Sequence, residues 1–147
     1  MIYQRTTRSA FKSAKVTLSH DWKDRYDQGG LVLVINPNGE RKWIKTGIEF
    51  ENGQPNVGTV AMDRWSDWSL LPLNGNSATI EARLESGSIW IYYIEGSKRT
   101  ALREVTFWAD LPEDAEIWVG VFVAKPAPNG EKGDLTVDFK DLRIELD

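Results

Sequence analysis

Four Asn-Gly pairs, at positions 38–39, 52–53, 74–75 and 129–130, fall in the gaps between apolar runs. Asn followed by Gly tolerates the positive φ that a two-residue hairpin turn demands, so each pair marks a place where a strand folds back on its neighbour. Ser86-Gly87-Ser88 and Glu95-Gly96-Ser97 supply two more candidate turns. The intervening segments predict strands near 11–19, 29–35, 42–50, 55–62, 78–85, 88–95, 100–108, 116–124 and 134–146. No segment carries a helical period, and Leu111–Ala115 reads as a loop or a single turn. Regular short strands with this punctuation predict an all-β sandwich or barrel. No repeat, low-complexity stretch or linker divides the chain, which predicts one domain over residues 1–147.

Period-2 counting assigns faces. Ile44, Ile48 and Phe50 share one side of their strand, with Trp43, Lys45 and Glu49 on the other. Ile80, Ala82 and Leu84 oppose Glu81, Arg83 and Glu85. The phase flips at Lys140-Asp141, between Leu135, Val137 and Phe139 and then Leu142, Ile144 and Leu146, as a β-bulge would make it. Two strands are apolar on both sides: Val119, Val121 and Val123 oppose Trp118 and Phe122, and Ile89, Ile91 and Tyr93 oppose Trp90, Tyr92 and Ile94. In a curved sheet, Trp43, Lys45, Glu49, Trp90, Tyr92 and Trp118 would share one concave face.

The charge is uneven. Arg5, Arg8, Lys12, Lys15, Lys23 and Arg25 against Asp21 and Asp24 make residues 1–25 net basic, while the 147-residue chain carries −4. The acidic remainder argues against a nucleic-acid partner. The basic start has the composition of a targeting peptide, but Ala14, Val16 and Leu18 alternate with Lys15, Thr17 and Ser19 as a strand does. No run approaches the roughly 20 apolar residues that span a bilayer, so no membrane association is expected. Zero cysteines rule out disulfides, thiolate metal sites and a cysteine nucleophile. A cytoplasmic location is the default expectation.

Three strings in order, YDQGGLVLV from Tyr26, WIKTGIEF from Trp43 and SDWS from Ser66, resemble the regulation-of-enolase family, also catalogued as domain of unknown function 1349. The run from Glu116 to Phe122 and the closing strand are similar to its fungal branch. The resemblance implies a concanavalin A-like jelly roll of two antiparallel sheets. It implies no agreed chemistry, and no catalytic residue carries over. Family members usually carry a longer segment, with further strands and an aromatic-rich stretch, ahead of the YDQ string, whereas only 25 residues precede Tyr26 here; a short natural form and a start inside the usual domain are the alternatives, with an open or altered sandwich edge as the expected consequence.

Carboxylates two apart on one strand face lie about 6.5–7 Å apart, near the separation glycosidases use. Glu49 and Glu51 have that spacing, but Glu51-Asn52-Gly53 is expected to turn away from the sheet; Asp63 and Asp67 are looser candidates. His20 is the only histidine, which leaves no multi-histidine metal site and no definable triad, while an all-oxygen calcium site in a loop stays open. Trp65 and Trp68 read either as plugs at the end of the sandwich or as a platform on which sugar rings stack; W-x-x-W mannosylation would require a signal peptide. Asp27 and Gln28 either meet a ligand or satisfy backbone groups, and Gly29-Gly30 permits close approach of another side chain. No phosphate-binding glycine loop occurs.

These observations predict a non-catalytic binding or regulatory module with a carbohydrate or protein ligand, and no cofactor or resident metal. The candidate surface is Gln28, Trp43, Lys45, Glu49, Asp67, Trp90 and Trp118. The alternatives are a glycoside-active or other small-molecule enzyme, and a protein-interaction domain working through a sheet edge, as a monomer or a homodimer.

Overall fold

The computed structural model of the chain describes residues 1–36, 38–127 and 132–147. Eleven strands form two antiparallel sheets. The six-stranded sheet runs β1 (Ile2–Thr7), β10 (Glu116–Ala124), β3 (Gln28–Ile35), β4 (Lys42–Glu51), β5 (Gln54–Met62), β6 (Ser66–Pro72). The five-stranded sheet runs β11 (Asp138–Leu146), β2 (Phe11–Ser19), β7 (Ser77–Glu85), β8 (Ser88–Glu95), β9 (Lys98–Val105). The chain changes sheet after β1, β2, β6, β9 and β10, which gives the concanavalin A-like jelly-roll sandwich that the strand pattern and the family resemblance imply.

Not all of the predicted turns close hairpins: Asn74-Gly75, with Gly75 at a φ of 96°, carries the chain from β6 in one sheet to β7 in the other and closes none. Asn52 and Gly53 take φ of 54° and 75°, Ser86 and Gly87 take 50° and 87°, and each pair closes a hairpin directly. Asn38-Gly39 lies in the β3–β4 connection, where the Gly39 N–H bonds the Asn36 carbonyl, and Asn129-Gly130 lies outside the described residues. Between the sheets, the side chains of Leu31, Leu33, Ile35, Ile44, Ile48, Ile117 and Val119 from one layer meet Phe11, Val16, Leu18, Ile80, Ile89 and Ile91 from the other, all almost fully buried. Each such side chain contributes roughly 1.5–3 kcal/mol by leaving water. Thr46 and Thr59 are polar members of this interior; their hydroxyls bond each other at 3.0 Å, and Thr46 also donates to the Gly58 carbonyl.

Four local expectations change. β1 and β6 are strands that no prediction covered, and β1 closes the flank of β10 where an open edge was expected. β9 ends at Val105, and the 3₁₀ turn Thr106–Asp110 carries Trp108 into the core, so the single turn lies just before Leu111–Ala115. β11 begins at Asp138, although Val137 ahead of it is already buried. Glu51 does not turn away: it is the last residue of β4, paired with Gln54. The bulge in β11 stands where the phase flips, with register shifting between Lys140 and Arg143 and Asp141 at a φ of 54°.

Candidate functional site

The outer face of the six-stranded sheet is organised in rows fixed by register. One row runs Phe122, Gly30, Gly47, Gly58, Leu70 across β10, β3, β4, β5 and β6. Three adjacent strands thus place a glycine at the same level, and the middle of the face carries no side chain there. The row on one side contains Gln28, Glu49 and Asn56; the row on the other contains Val32, Lys45, Val60 and Trp68. The result is a slot with a backbone floor, lined by Gln28, Lys45, Gly47, Glu49, Gly58, Val60 and Phe122. It encloses about 10 Å³, the room of a single water-sized group.

The polar groups of the slot are connected. The Lys45 ammonium donates to Gln28 Oε1 at 2.6 Å, and Gln28 in turn donates its amide N–H to the Tyr26 carbonyl at 3.1 Å. Lys45 Nζ lies 5.2 Å from the centre of the Phe122 ring and 5.5 Å from that of Trp43, within cation–π range. Burial lowers the Lys45 pKa, with the Glu49 charge pulling the other way. Burial likewise raises the Glu49 carboxyl above its ordinary value, against the opposing pull of Lys45 and a hydrogen bond from Trp68. Two opposite charges therefore face one slot, each partly desolvated.

Glu51, the next outward residue on β4, is a different kind of carboxylate. It is buried, and Arg25 holds both its oxygens in a two-pronged grip at 2.9 and 3.0 Å, itself stacked over the Tyr26 ring. Its role is to fasten the 24–27 turn to the β4–β5 hairpin, which Asn56 reinforces by donating to the Glu51 and Gln54 carbonyls.

Of the residues singled out from sequence, Gln28, Trp43, Lys45, Glu49 and Trp118 do share this face. Trp118 is covered, however: Tyr3 stacks on it at 4.5 Å, Arg5 approaches its ring, and its indole N–H donates to Glu116 at 2.7 Å. Trp90 belongs to β8 and, with Tyr92 stacked beside it, lies on the outer face of the other sheet, so the single concave face predicted for all six residues does not form. Asp67 sits on the other side of β6 from the slot, ion-paired with Arg103 of β9 at 3.1 Å. Trp65 is 85% exposed and Trp68 47% exposed, so neither plugs the sandwich. Trp68, read from sequence as a plug or a sugar platform but left off the candidate surface, hydrogen-bonds Glu49 beside the slot, and Phe122, Gly47 and Gly58 line it without having been singled out. Asp27 is buried against Lys125, and His20 packs edge-on against Trp22. Among the described residues, no group of three His, Asp or Glu side chains is placed to hold a metal ion, and no helix is long and apolar enough to cross a membrane.

Residues 1–146 match the family described as "Protein of unknown function (DUF1349)". An uncharacterised protein of Emericella nidulans is 47% identical over 151 residues, a match covering 99% of this chain and 74% of that protein. Regulation of enolase protein 1 of Saccharomyces cerevisiae is 29% identical over 140 residues, covering 94% of this chain and 65% of that protein, just under two thirds of its length. Among solved structures, a functionally unknown protein from Saccharomyces cerevisiae superposes with a TM-score of 0.79 at 25% identity, covering 100% of this chain and 74% of that one. The GH43 BlXynB protein from Bacillus licheniformis superposes at 0.66 with 17% identity, over 92% of this chain and 27% of that one, which is a likeness of fold.

Proposed function

Because the chain belongs to the DUF1349 family, whose description assigns no chemistry, we propose its function from the slot: a non-catalytic binding domain spanning residues 1–147 whose ligand is a carbohydrate. The observation that carries this is the glycine row. Gly30, Gly47 and Gly58 clear a strip of backbone at the centre of the face, lined by Phe122, Gln28, Lys45 and Glu49, with Trp43 beside Lys45 and Trp68 bonded to Glu49. Aromatic faces beside a few converging polar groups are the usual composition of a sugar-binding surface. Binding is favoured over hydrolysis because the carboxylate nearest along β4, Glu51, has both oxygens committed to Arg25, so it is not free to act as the partner acid or nucleophile of Glu49. The reading also takes the protein to act in the cytoplasm, as its lack of cysteine suggests.

The test is a saturation-transfer NMR screen of mono- and oligosaccharides, with the same samples assayed for hydrolysis. Binding without turnover, weakened about tenfold or more by Trp43→Ala and by Glu49→Ala in folded protein, is expected. A slot that binds no sugar sinks the proposal, and turnover dependent on Glu49 replaces it with the enzyme reading.

A second reading is a protein-interaction domain working through the sheet edges. It rests on the edge strand β1 and on the β6 region, where Ile2 is 77% exposed, Trp65 85% and Leu71 41%. The name of the yeast relative, Regulation of enolase protein 1, agrees with a protein partner. Sedimentation of the wild type against Ile2→Lys and Trp65→Ser checks for self-association through those edges.

A further inference from the structure

The slot has room for about one water-sized atom, which is too little for a sugar ring but enough for one oxygen of a substituent that projects from it. The ring itself would stay above the floor, against the Trp68, Trp43 and Phe122 rings. Which substituent fits is set by the two charges that line the slot, and these are not equivalent. Lys45 Nζ spends one of its three N–H donors on Gln28 Oε1, and ring faces occupy much of its remaining surroundings. It makes no ion pair among the described residues, whereas Lys12, Lys23, Lys42 and Lys125 each meet a carboxylate. A partly buried cation with donors to spare, whose nearest opposite charge, Glu49, attracts it without forming a direct ion pair, can take an anion. Glu49 already accepts the Trp68 indole N–H, and burial raises its pKa against the pull of Lys45.

We propose, on the carbohydrate-binding reading above, that the ligand is a carboxylate-bearing sugar of the uronic acid class, whose exocyclic carboxylate enters the slot to meet the Lys45 ammonium. The ring hydroxyls then bond Glu49 and the Gln28 amide, and the ring packs on the neighbouring indoles. Glucose, glucuronate and glucosamine are the probes, because they share a ring and differ in charge. Their affinities are measured by NMR titration at low and at high salt.

Glucuronate is expected to bind at least about tenfold more tightly than glucose, as a charge-assisted hydrogen bond confers, with the advantage shrinking as salt rises. Lys45→Gln should bring glucuronate level with glucose in protein that remains folded by circular dichroism, and Lys45→Arg should keep the preference. Equal binding of glucuronate and glucose to the wild type overturns the uronate assignment and leaves the binding domain standing. Tightest binding of glucosamine overturns it too, by making Glu49 the selecting charge. Failure of all three sugars, together with longer saccharides, overturns the carbohydrate reading itself.

Discussion

Gly30 and Gly47 face each other across β3 and β4 so closely that a methyl group on Gly30 would lie 2.0 Å from the Thr46 carbonyl oxygen, and one on Gly47 the same distance from the Gly29 carbonyl oxygen. Both obstacles are backbone in the middle of a sheet, and neither can rotate away. Gly47→Ala is therefore expected to cost roughly 4 kcal/mol or more, at the severe end for single substitutions. Urea denaturation with circular dichroism checks it; a loss under about 1 kcal/mol would mean that the strands can part without cost.

Gly58 presents the opposite case. A methyl there meets Leu70 Cδ2 at 2.9 Å and comes within 3.9 Å of Glu49 Oε2. Leu70 is half-buried on the edge strand β6, and the end of its side chain can swing aside. Gly58→Ala should thus cost about 1 kcal/mol or less while narrowing the slot beside Glu49. The expected signature is an intact melting curve with sugar binding weakened, a separation of stability from function that NMR titration of the variant would measure.

Glu49 gives a pH signature. Its folded-state pKa is raised by burial, so its favourable contribution to stability is fully present below the ordinary carboxylate pKa and is lost as pH rises through the folded value. At neutral pH the partly desolvated charge is a cost, and Glu49→Gln removes it. The variant should melt on the order of 1–2 °C above the wild type at pH 7, and the gap should close toward pH 4. Thermal melts across that range test the sign; a variant that is less stable at pH 7 would show that Lys45 and Trp68 more than offset the burial.

Thr46 and Thr59 share a hydroxyl pair in the interior beneath the slot floor. Thr46→Val strands the Thr59 hydroxyl and deprives the Gly58 carbonyl of a donor, at an expected cost of about 1–2 kcal/mol. Changing Thr59→Val as well removes the stranded group, so the double variant should be less destabilised than the two single changes added together. A double-mutant cycle in urea measures the coupling, and strict additivity would refute it.

How much of this was legible in the sequence follows from which signals are local. Hairpin turns and inward-facing residues could be read because Asn-Gly and period-2 alternation act over a few residues, and seven of the nine strand expectations agree with the structure to within one residue at each end. β1 and β6 escaped notice because both are edge strands, exposed along most of their length, and a strand that buries little has no apolar alternation to read. Trp90 was assigned to the wrong sheet because parity says which side of a strand a residue takes, not which layer the strand joins. The glycine slot was half legible. Counting back from the Asn52-Gly53 turn pairs Gly47 with Gly58, since a two-residue hairpin fixes register. The Gly30 alignment depends on the longer β3–β4 connection and gives no such count. Trp68 could be placed only with the order of β5 and β6 in hand.

Arg103 has a consequence for motion. It reaches from β9 across to β6, where its guanidinium bonds the Asp67 carboxylate at 3.1 Å and Ser69 Oγ at 2.6 Å. Beside it an opening of about 250 Å³, lined by Val57, Thr59, Leu71 and Leu102, separates the two layers. Within the sheet β6 is held to β5, as β1 is to β10, by a full antiparallel ladder, so the clasp acts between the layers. The molecule should breathe like a book held shut by one clasp: amides of β6 and β9 exchange with solvent first, those of β3 and β4 last, and cutting the clasp with Arg103→Ala quickens the first set alone. The slot then sits near the slow spine, with Trp68 as its one wall on the moving cover.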